Sequence, residues 1–269
     1  MEKFLSLPEI YLTIISTLFT WGVTALGALT VIFFKKINQK FLDTMLGFAA
    51  GVMIAASFWS LLEPAIELSK NNPLPVWFPP AAGFLLGAIT LRIIDSILPH
   101  LHLETPIEEK EGIKTRLSKS ILLILAITIH NIPEGLAIGV AFGAVSHGIE
   151  GASTFGALAL AIGIGLQNFP EGMAIAFPIR RDGNSRLKSF FYGQLSGIVE
   201  PIAAIIGYYS VAYSRFILPY ALSFAAGAMI YVVVEEVIPE AERNKNTDIA
   251  TIGAILGFTI MMILDVGLK

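Results

Sequence analysis

The chain has 269 residues, 55% of them hydrophobic and 14% charged, with a formal net charge of −3 and a mean hydropathy of +0.72. Soluble domains carry nearer ~25% charged residues. Here the apolar residues fall in long blocks instead of one-faced or alternating patterns, which excludes a water-soluble globule and points to a chain embedded in lipid. Cysteine is absent, so disulfides and thiolate metal sites are excluded too, and no nucleic-acid partner is expected.

Eight stretches reach the ~20 residues a helix needs to cross ~30 Å of hydrocarbon. They run about 8–34, 41–66, 76–99, 117–144, 153–178, 187–211, 214–238 and 248–267. The sequence predicts an all-α integral membrane protein of eight transmembrane helices, one domain over 1–269. The first stretch is long enough to be read as a retained helix rather than a leader. Lys35, Lys36 and Lys40 separate spans 1 and 2, and Asn71-Asn72-Pro73-Leu74-Pro75 makes a stiff turn before span 3. A polar loop, about 100–118, contains His100 and His102 and is expected in the cytosol. Arg180-Arg181-Asp182-Gly183-Asn184 and the stretch from Glu242 to Asp248 break the later spans.

Cationic side chains orient the spans. Thirteen of them (Lys35, Lys36, Lys40, Lys110, Lys114, Arg116, Lys119, Arg180, Arg181, Arg186, Lys188, Arg243 and Lys245) fall in alternate connections, against Lys3, Lys70, Arg215 and Lys269 on the other side. The expectation is a multi-pass protein of the cell membrane with both termini outside the cytoplasm.

Two segments repeat. Phe48-Ala49-Ala50-Gly51-Val52-Met53-Ile54 in span 2 recurs as Phe224-Ala225-Ala226-Gly227-Ala228-Met229-Ile230 in span 7. Gly83, Gly87 and Asp95 of span 3 recur at the same spacing as Gly253, Gly257 and Asp265 of span 8. Spans 2–3 and 7–8 cross in opposite senses, so spans 1–3 and 6–8 are predicted to form an inverted repeat around spans 4 and 5. Transporters built this way hold substrate near the midplane. The middle spans share a third echo: His130-Asn131-Ile132-Pro133-Glu134-Gly135-Leu136-Ala137-Ile138 resembles Gln167-Asn168-Phe169-Pro170-Glu171-Gly172-Met173-Ala174-Ile175.

His130 and Gln167 lie roughly 20 Å into their spans, near mid-depth. Ionisable groups there cost at least ~2.5–3.5 kcal/mol each when they face lipid. His130 and Glu134 are i, i+4 and share a helix face, as do Gln167 and Glu171. Asn131 and Asn168 are turned by ~100° and can serve a neighbouring site. Pro133 and Pro170 deprive the carbonyls of Ile129 and Leu166 of their helical donors. Imidazole, carboxylate and amide oxygen together suit zinc and neighbouring first-row ions. Glu200 stands at the same depth in span 6. Met53 can offer a thioether, and Ser60, Glu63 and Asp265 on one side with Asp95, Glu235 and Glu236 on the other make a ladder of polar groups across the membrane. Blander roles compete: Asp95 can pair with Arg92, Glu63 can be a solvated helix end, Met53 and Ser60 can be packing residues, and His100 and His102 can be interfacial.

The paired His-Asn-x-Pro-Glu-Gly and Gln-Asn-x-Pro-Glu-Gly motifs resemble the ZIP (Zrt/Irt-like) metal transporters, especially their GufA-type branch, over nearly the whole chain. The resemblance implies a binuclear centre. One ion would lie on Met53, His130, Glu134, Gln167 and Glu171, the other on Asn131, Glu134, Asn168, Glu171 and Glu200, with both glutamates bridging. It places Ser60 and Asp265 at the outer entrance and Asp95, Glu235 and Glu236 at the inner exit, Glu235 standing where many relatives have histidine. The expected function is import of a divalent metal by alternating access, with zinc foremost and iron, manganese and cadmium as further candidates. The expectation is a non-enzyme with no cofactor, in an architecture that permits a homodimer. Two alternatives stand beside it. An intramembrane metalloprotease normally carries His-Glu-x-x-His, whereas the i+4 partner of His130 is Glu134. The other is a carrier that uses the carboxylates as a proton relay for an organic substrate.

Overall fold

The computed structural model describes residues 6–34, 36–70, 73–97, 119–149, 151–211 and 216–268. His100, His102 and the 100–118 loop lie outside them. The described residues contain helices and turns and no strand. Eight helices follow in order: α1 Glu9–Phe33, α2 Gln39–Ser69, α3 Phe78–Ile97, α4 Lys119–Ser146, α5 Thr154–Arg181, α6 Arg186–Ser210, α7 Leu218–Glu242 and α8 Thr247–Leu268. Seven of them are long and apolar enough to cross a membrane, and α4, with 28 residues, spans about 42 Å. The starts are set locally. Asn38, Ser153 and Ser185 accept from the backbone N–H of Lys40, Gly156 and Lys188, which satisfies donors that the first helical turn leaves open.

The helices sort into two groups of four. In one, α1 packs along α5 and α4 along α6. Trp21 Nε1 donates to the Gln194 carbonyl (2.8 Å), and Tyr208 Oη donates to Ser146 Oγ (2.8 Å). In the other, α2 packs along α8 and α3 along α7. In this second group each helix of one repeat pairs with a helix of the other, whereas α1 and α6 pack along the central α5 and α4, and the contacts of the second group are reciprocal. A Cβ added at Gly51 of α2 would collide with the Ala254 carbonyl of α8, and one at Gly227 of α7 would collide with the Phe84 carbonyl of α3. In return, a Cβ at Gly257 would strike the Phe48 carbonyl and one at Gly87 the Phe224 carbonyl. The repeated glycines are thus where paired backbones touch, as small residues allow in lipid. The outer members α3 and α8 are each 28% buried and α5 is 78% buried, so α5 is the centre of the bundle.

Two helices expected to run unbroken are not regular. α2 widens to a π-helix over Ser57–Leu62 and α7 over Val233–Val237. Both π segments begin three residues after the repeated Met-Ile and run up to Pro64 and Pro239. Each proline lacks the N–H that would have closed the preceding α turn, and the ladder relaxes into a π-bulge. In α6, Ser196–Ile198 tightens instead to a 3-10 turn. Pro201 removes the N–H that would meet the Gly197 carbonyl.

Reciprocity predicts equal penalties at repeat-related glycines. Gly51→Val and Gly227→Val should each lower stability by about 1–3 kcal/mol or more through overpacking. Gly22→Val, where nothing lies within 4 Å, should cost little. Thermal unfolding of the purified variants checks this, and a Gly51→Val protein as stable as Gly22→Val would refute the packing.

Candidate metal centre

α4 and α5 continue as α-helix through Pro133 and Pro170, so the duplicated motif keeps its helical faces and turns them toward one another and toward α6. Asn131, Glu134, Gln167, Asn168 and Glu200 are all 0% exposed, with Glu171 at 7% and His130 at 9%. Such a set of polar groups in an apolar bundle must be internally bonded or held by an ion.

The bonding is one-sided. Gln167 Nε2 donates to Glu134 Oε1 (2.5 Å). Asn168 Nδ2 donates to Glu200 Oε1 (2.9 Å), and Asn131 Nδ2 donates to the same oxygen (3.3 Å). Every amide nitrogen of the cluster thus has a carboxylate acceptor. Within this cluster five buried oxygens have no hydrogen-bond partner: Asn131 Oδ1, Glu134 Oε2, Gln167 Oε1, Asn168 Oδ1 and Glu171 Oε2. These five are all acceptors, and they belong to the two copies of the motif. Burying five lone-pair donors without N–H or O–H partners is chemistry that a cation completes. Among the described residues no three His, Asp or Glu side chains converge as a metal-holding set, and the open amide oxygens stand beside the carboxylates in this cluster.

Glu200 plays a different part from the other two glutamates. Its Oε1 accepts from both asparagines, and its Oε2 accepts from the Thr20 hydroxyl of α1. The carboxylate is saturated with donors and holds the two asparagine amides with their oxygens turned away from it. A Cβ at Gly197 would sit 2.8 Å from Trp21 Cδ1 and 3.2 Å from both Glu200 Oε1 and Thr24 Oγ1, so glycine there lets the 3-10 turn of α6 lie close against α1 and Glu200. Thr20 escaped the sequence reading. The available signal was a stripe of hydroxyls at helical spacing on α1, where Thr13, Thr17, Thr20 and Thr24 are all fully buried.

The remaining predicted residues separate. His130 Nε2 lies 2.8 Å from Glu236 Oε1, so Glu236 joins the centre, while Glu235 on the same π-helix is exposed. A cleft lined by Leu46, Ile127, His130, Glu171, Glu236 and Glu240 borders the cluster on the end of the bundle that carries Arg180, Arg181 and Arg243. A second cleft, toward the other end, is lined by Trp59, Ser60, Pro64 and Asp265, and none of the five open oxygens borders it. There Ser60 Oγ donates to Asp265 Oδ1 (2.6 Å). The repeat-equivalent Asp95 accepts from Tyr231 Oη (3.1 Å) and pairs with Arg92 (3.5 Å). Each of these aspartates ties its helix to the partner helix from the other repeat. Met53 is fully buried in the main apolar cluster, to which Ile138 and Ile164 also belong. Glu63 is exposed.

Comparison with known proteins matches residues 102–265 to the family described as ZIP Zinc transporter. The chain is 40% identical to the human protein named Zinc transporter ZIP11, over 97% of this chain and 98% of that one. It is 35% identical to Zinc transporter GufA of Myxococcus xanthus, over 95% of this chain and 98% of the relative. With Zinc transporter ZIPB of Bordetella bronchiseptica it shares 37% identity, over 92% of this chain and 78% of that protein.

The hydrogen bond from α1 makes a prediction independent of the ligands themselves. Thr20→Val should weaken divalent-cation binding by about 10- to 100-fold, as loss of a group that orients ligands does elsewhere, with helix content unchanged. Titration calorimetry on purified protein measures it. Undiminished affinity would show that Glu200 is held without Thr20.

Proposed function

The chain belongs to the ZIP zinc transporter family, and from that premise we propose that it moves zinc across the membrane through the donor cluster of α4, α5 and α6. The observation that carries this reading is the set of five buried oxygens with no hydrogen-bond partner. Two ions fit the donor inventory. Glu134 and Glu171 bridge them. His130 and the Gln167 amide oxygen complete one site, and the amide oxygens of Asn131 and Asn168 complete the other. Met53 is the remaining proposed donor of the first site. Glu200 fixes the two asparagines and stands by as a ligand of the second. Nitrogen and oxygen donors without thiolate suit zinc and leave iron, manganese and cadmium within range.

Direction follows from charge. The end that carries the cationic connections is the cytoplasmic one by the positive-inside rule, which puts both termini outside a cell membrane. The cleft bordered by Glu171, His130 and Glu236 then faces the cytoplasm. His130 cannot give Nε2 to an ion while that atom is paired with Glu236. Glu236 therefore exchanges with the ion at His130, and an ion leaving the centre passes into an acidic cleft that continues to Glu240. Ser60 and Asp265 guard the outer approach, and Asp95 and Glu235 lie by the inner one. Alternating access is a displacement of the group α1, α4, α5 and α6 against the group α2, α3, α7 and α8, because the pairs within each group are locked by backbone contacts. Coordination requires both bridging glutamates to be deprotonated, so binding releases protons. The protein acts as a carrier and not as an enzyme.

Zinc uptake into liposomes containing the purified protein tests the proposal. Wild type should accumulate zinc above empty vesicles, and Glu134→Gln and Glu171→Gln should fall to that background while melting cooperatively. No uptake by wild type, or full uptake by both variants, would overturn it.

A further inference from the structure

A cleft of about 480 Å³ opens between α1, α5 and the first turn of α2, away from the donor cluster. Its walls are Phe34 from the end of α1, Phe41 from α2, and Phe169, Met173 and Phe177, one helical turn apart down α5. Lys36 is exposed and stands in the lining, and Lys40, also exposed, lies four residues on in the first turn of α2. The floor is where α1 and α5 close together, since a Cβ at Gly27 would collide with the Phe169 carbonyl. From Arg181 at the end of α5 to Phe169 is twelve residues, about 18 Å of helix. The cleft therefore runs from the level of the membrane surface to the level of the duplicated motif.

Its chemistry names its occupant. The size falls in the ~300–1,000 Å³ range of ligand pockets. A long apolar slot with cations only at the interfacial mouth complements one acyl chain with an anionic head, and basic sites between spans at this depth recognise such lipids. A zwitterionic lipid would fill the slot equally, but its ammonium would offset the phosphate charge that the two lysines meet. We propose that this cleft binds one anionic phospholipid, with an acyl chain along Phe169, Met173 and Phe177 and its phosphate against Lys36 and Lys40.

The position also gives the lipid a hold on transport, a consequence that rests on the carrier reading above. Two walls belong to the group that carries the donors and the third belongs to α2 of the other group. Phe169 is the variable residue of the Gln-Asn-x-Pro-Glu-Gly motif itself. A chain seated there favours whichever arrangement of the two groups keeps the slot open, so occupancy changes the transport rate.

Native mass spectrometry of delipidated protein tests the site with phosphatidylglycerol and phosphatidylcholine of identical chains. Wild type should retain one phosphatidylglycerol at concentrations that leave phosphatidylcholine unbound. The double variant Lys36→Glu, Lys40→Glu, altered only at exposed positions, should lose that preference at least tenfold. Thr30→Trp, which fills the slot, should lower retention of both lipids. Equal retention of the two lipids by wild type, or a preference undiminished in the lysine variant, would overturn the proposal. Should Thr30→Trp fail to fold, the lysine variant decides alone. Zinc uptake in vesicles with and without phosphatidylglycerol supplies the second readout. Wild type should respond several-fold more than the lysine variant, which separates the site from simple zinc accumulation at a negative surface. Equal responses would sink the coupling. No uptake in any vesicle would count against the carrier reading, while the retention experiment would still decide the lipid site.

Discussion

The structure turns on five oxygen atoms that are buried in the bundle with no hydrogen donor to meet them. An unmet buried acceptor costs about 1–3 kcal/mol. Five of them rival the ~5–15 kcal/mol net stability of an ordinary domain. A bundle that merely needed polar glue would not leave such atoms open, because amide and carboxylate pairs can satisfy each other. Here the amide nitrogens are all spent on carboxylates, and what remains is lone pairs. Low local dielectric strengthens both the penalty and the attraction for a cation, so the same burial that makes the open oxygens costly makes the cluster attractive to positive charge.

The rest of the fold keeps those atoms in place. Pairing α2 with α8 and α3 with α7 across the repeats, and α1 and α6 with the central α5 and α4, builds two groups of four through backbone contact at glycines. The central donors sit on the first group. Glu236 reaches them from the second, by way of a π-helix that re-aims it toward His130. The prolines that widen α2 and α7 thus act at the junction between the groups, and the 3-10 turn of α6 sets Glu200 under the two asparagines. Irregular backbone in lipid is tolerated where it lines such a cavity.

Much of this was legible beforehand because charge in hydrocarbon has few explanations. The duplicated Asn-x-Pro-Glu-Gly motif, its depth and the i, i+4 faces pointed to one polar centre, and the repeated Gly-containing segments pointed to an inverted repeat. What stayed hidden depended on atoms rather than on residue types. A threonine in an apolar span reads as packing until its hydroxyl is found on Glu200. Glu200 was read as a ligand of the second ion, and its three hydrogen-bond donors add a hold on the asparagines that residue type alone did not show. Glu235 and Glu236 are adjacent in sequence and were read together, whereas the π-helix sends one outward and the other to His130. Adjacent helical residues diverge by ~100° in any case, and which of the two meets His130 falls within the π segment Val233–Val237, where a regular period does not apply.

The most direct measurement is anomalous diffraction at the zinc absorption edge from crystals of the protein grown with zinc. The account predicts anomalous density between α4 and α5, within about 2.2 Å of carboxylate oxygens of Glu134 and Glu171, the distance expected for zinc and oxygen. Density confined to surface histidines or to the connections between helices, with the five buried oxygens bare, would contradict it.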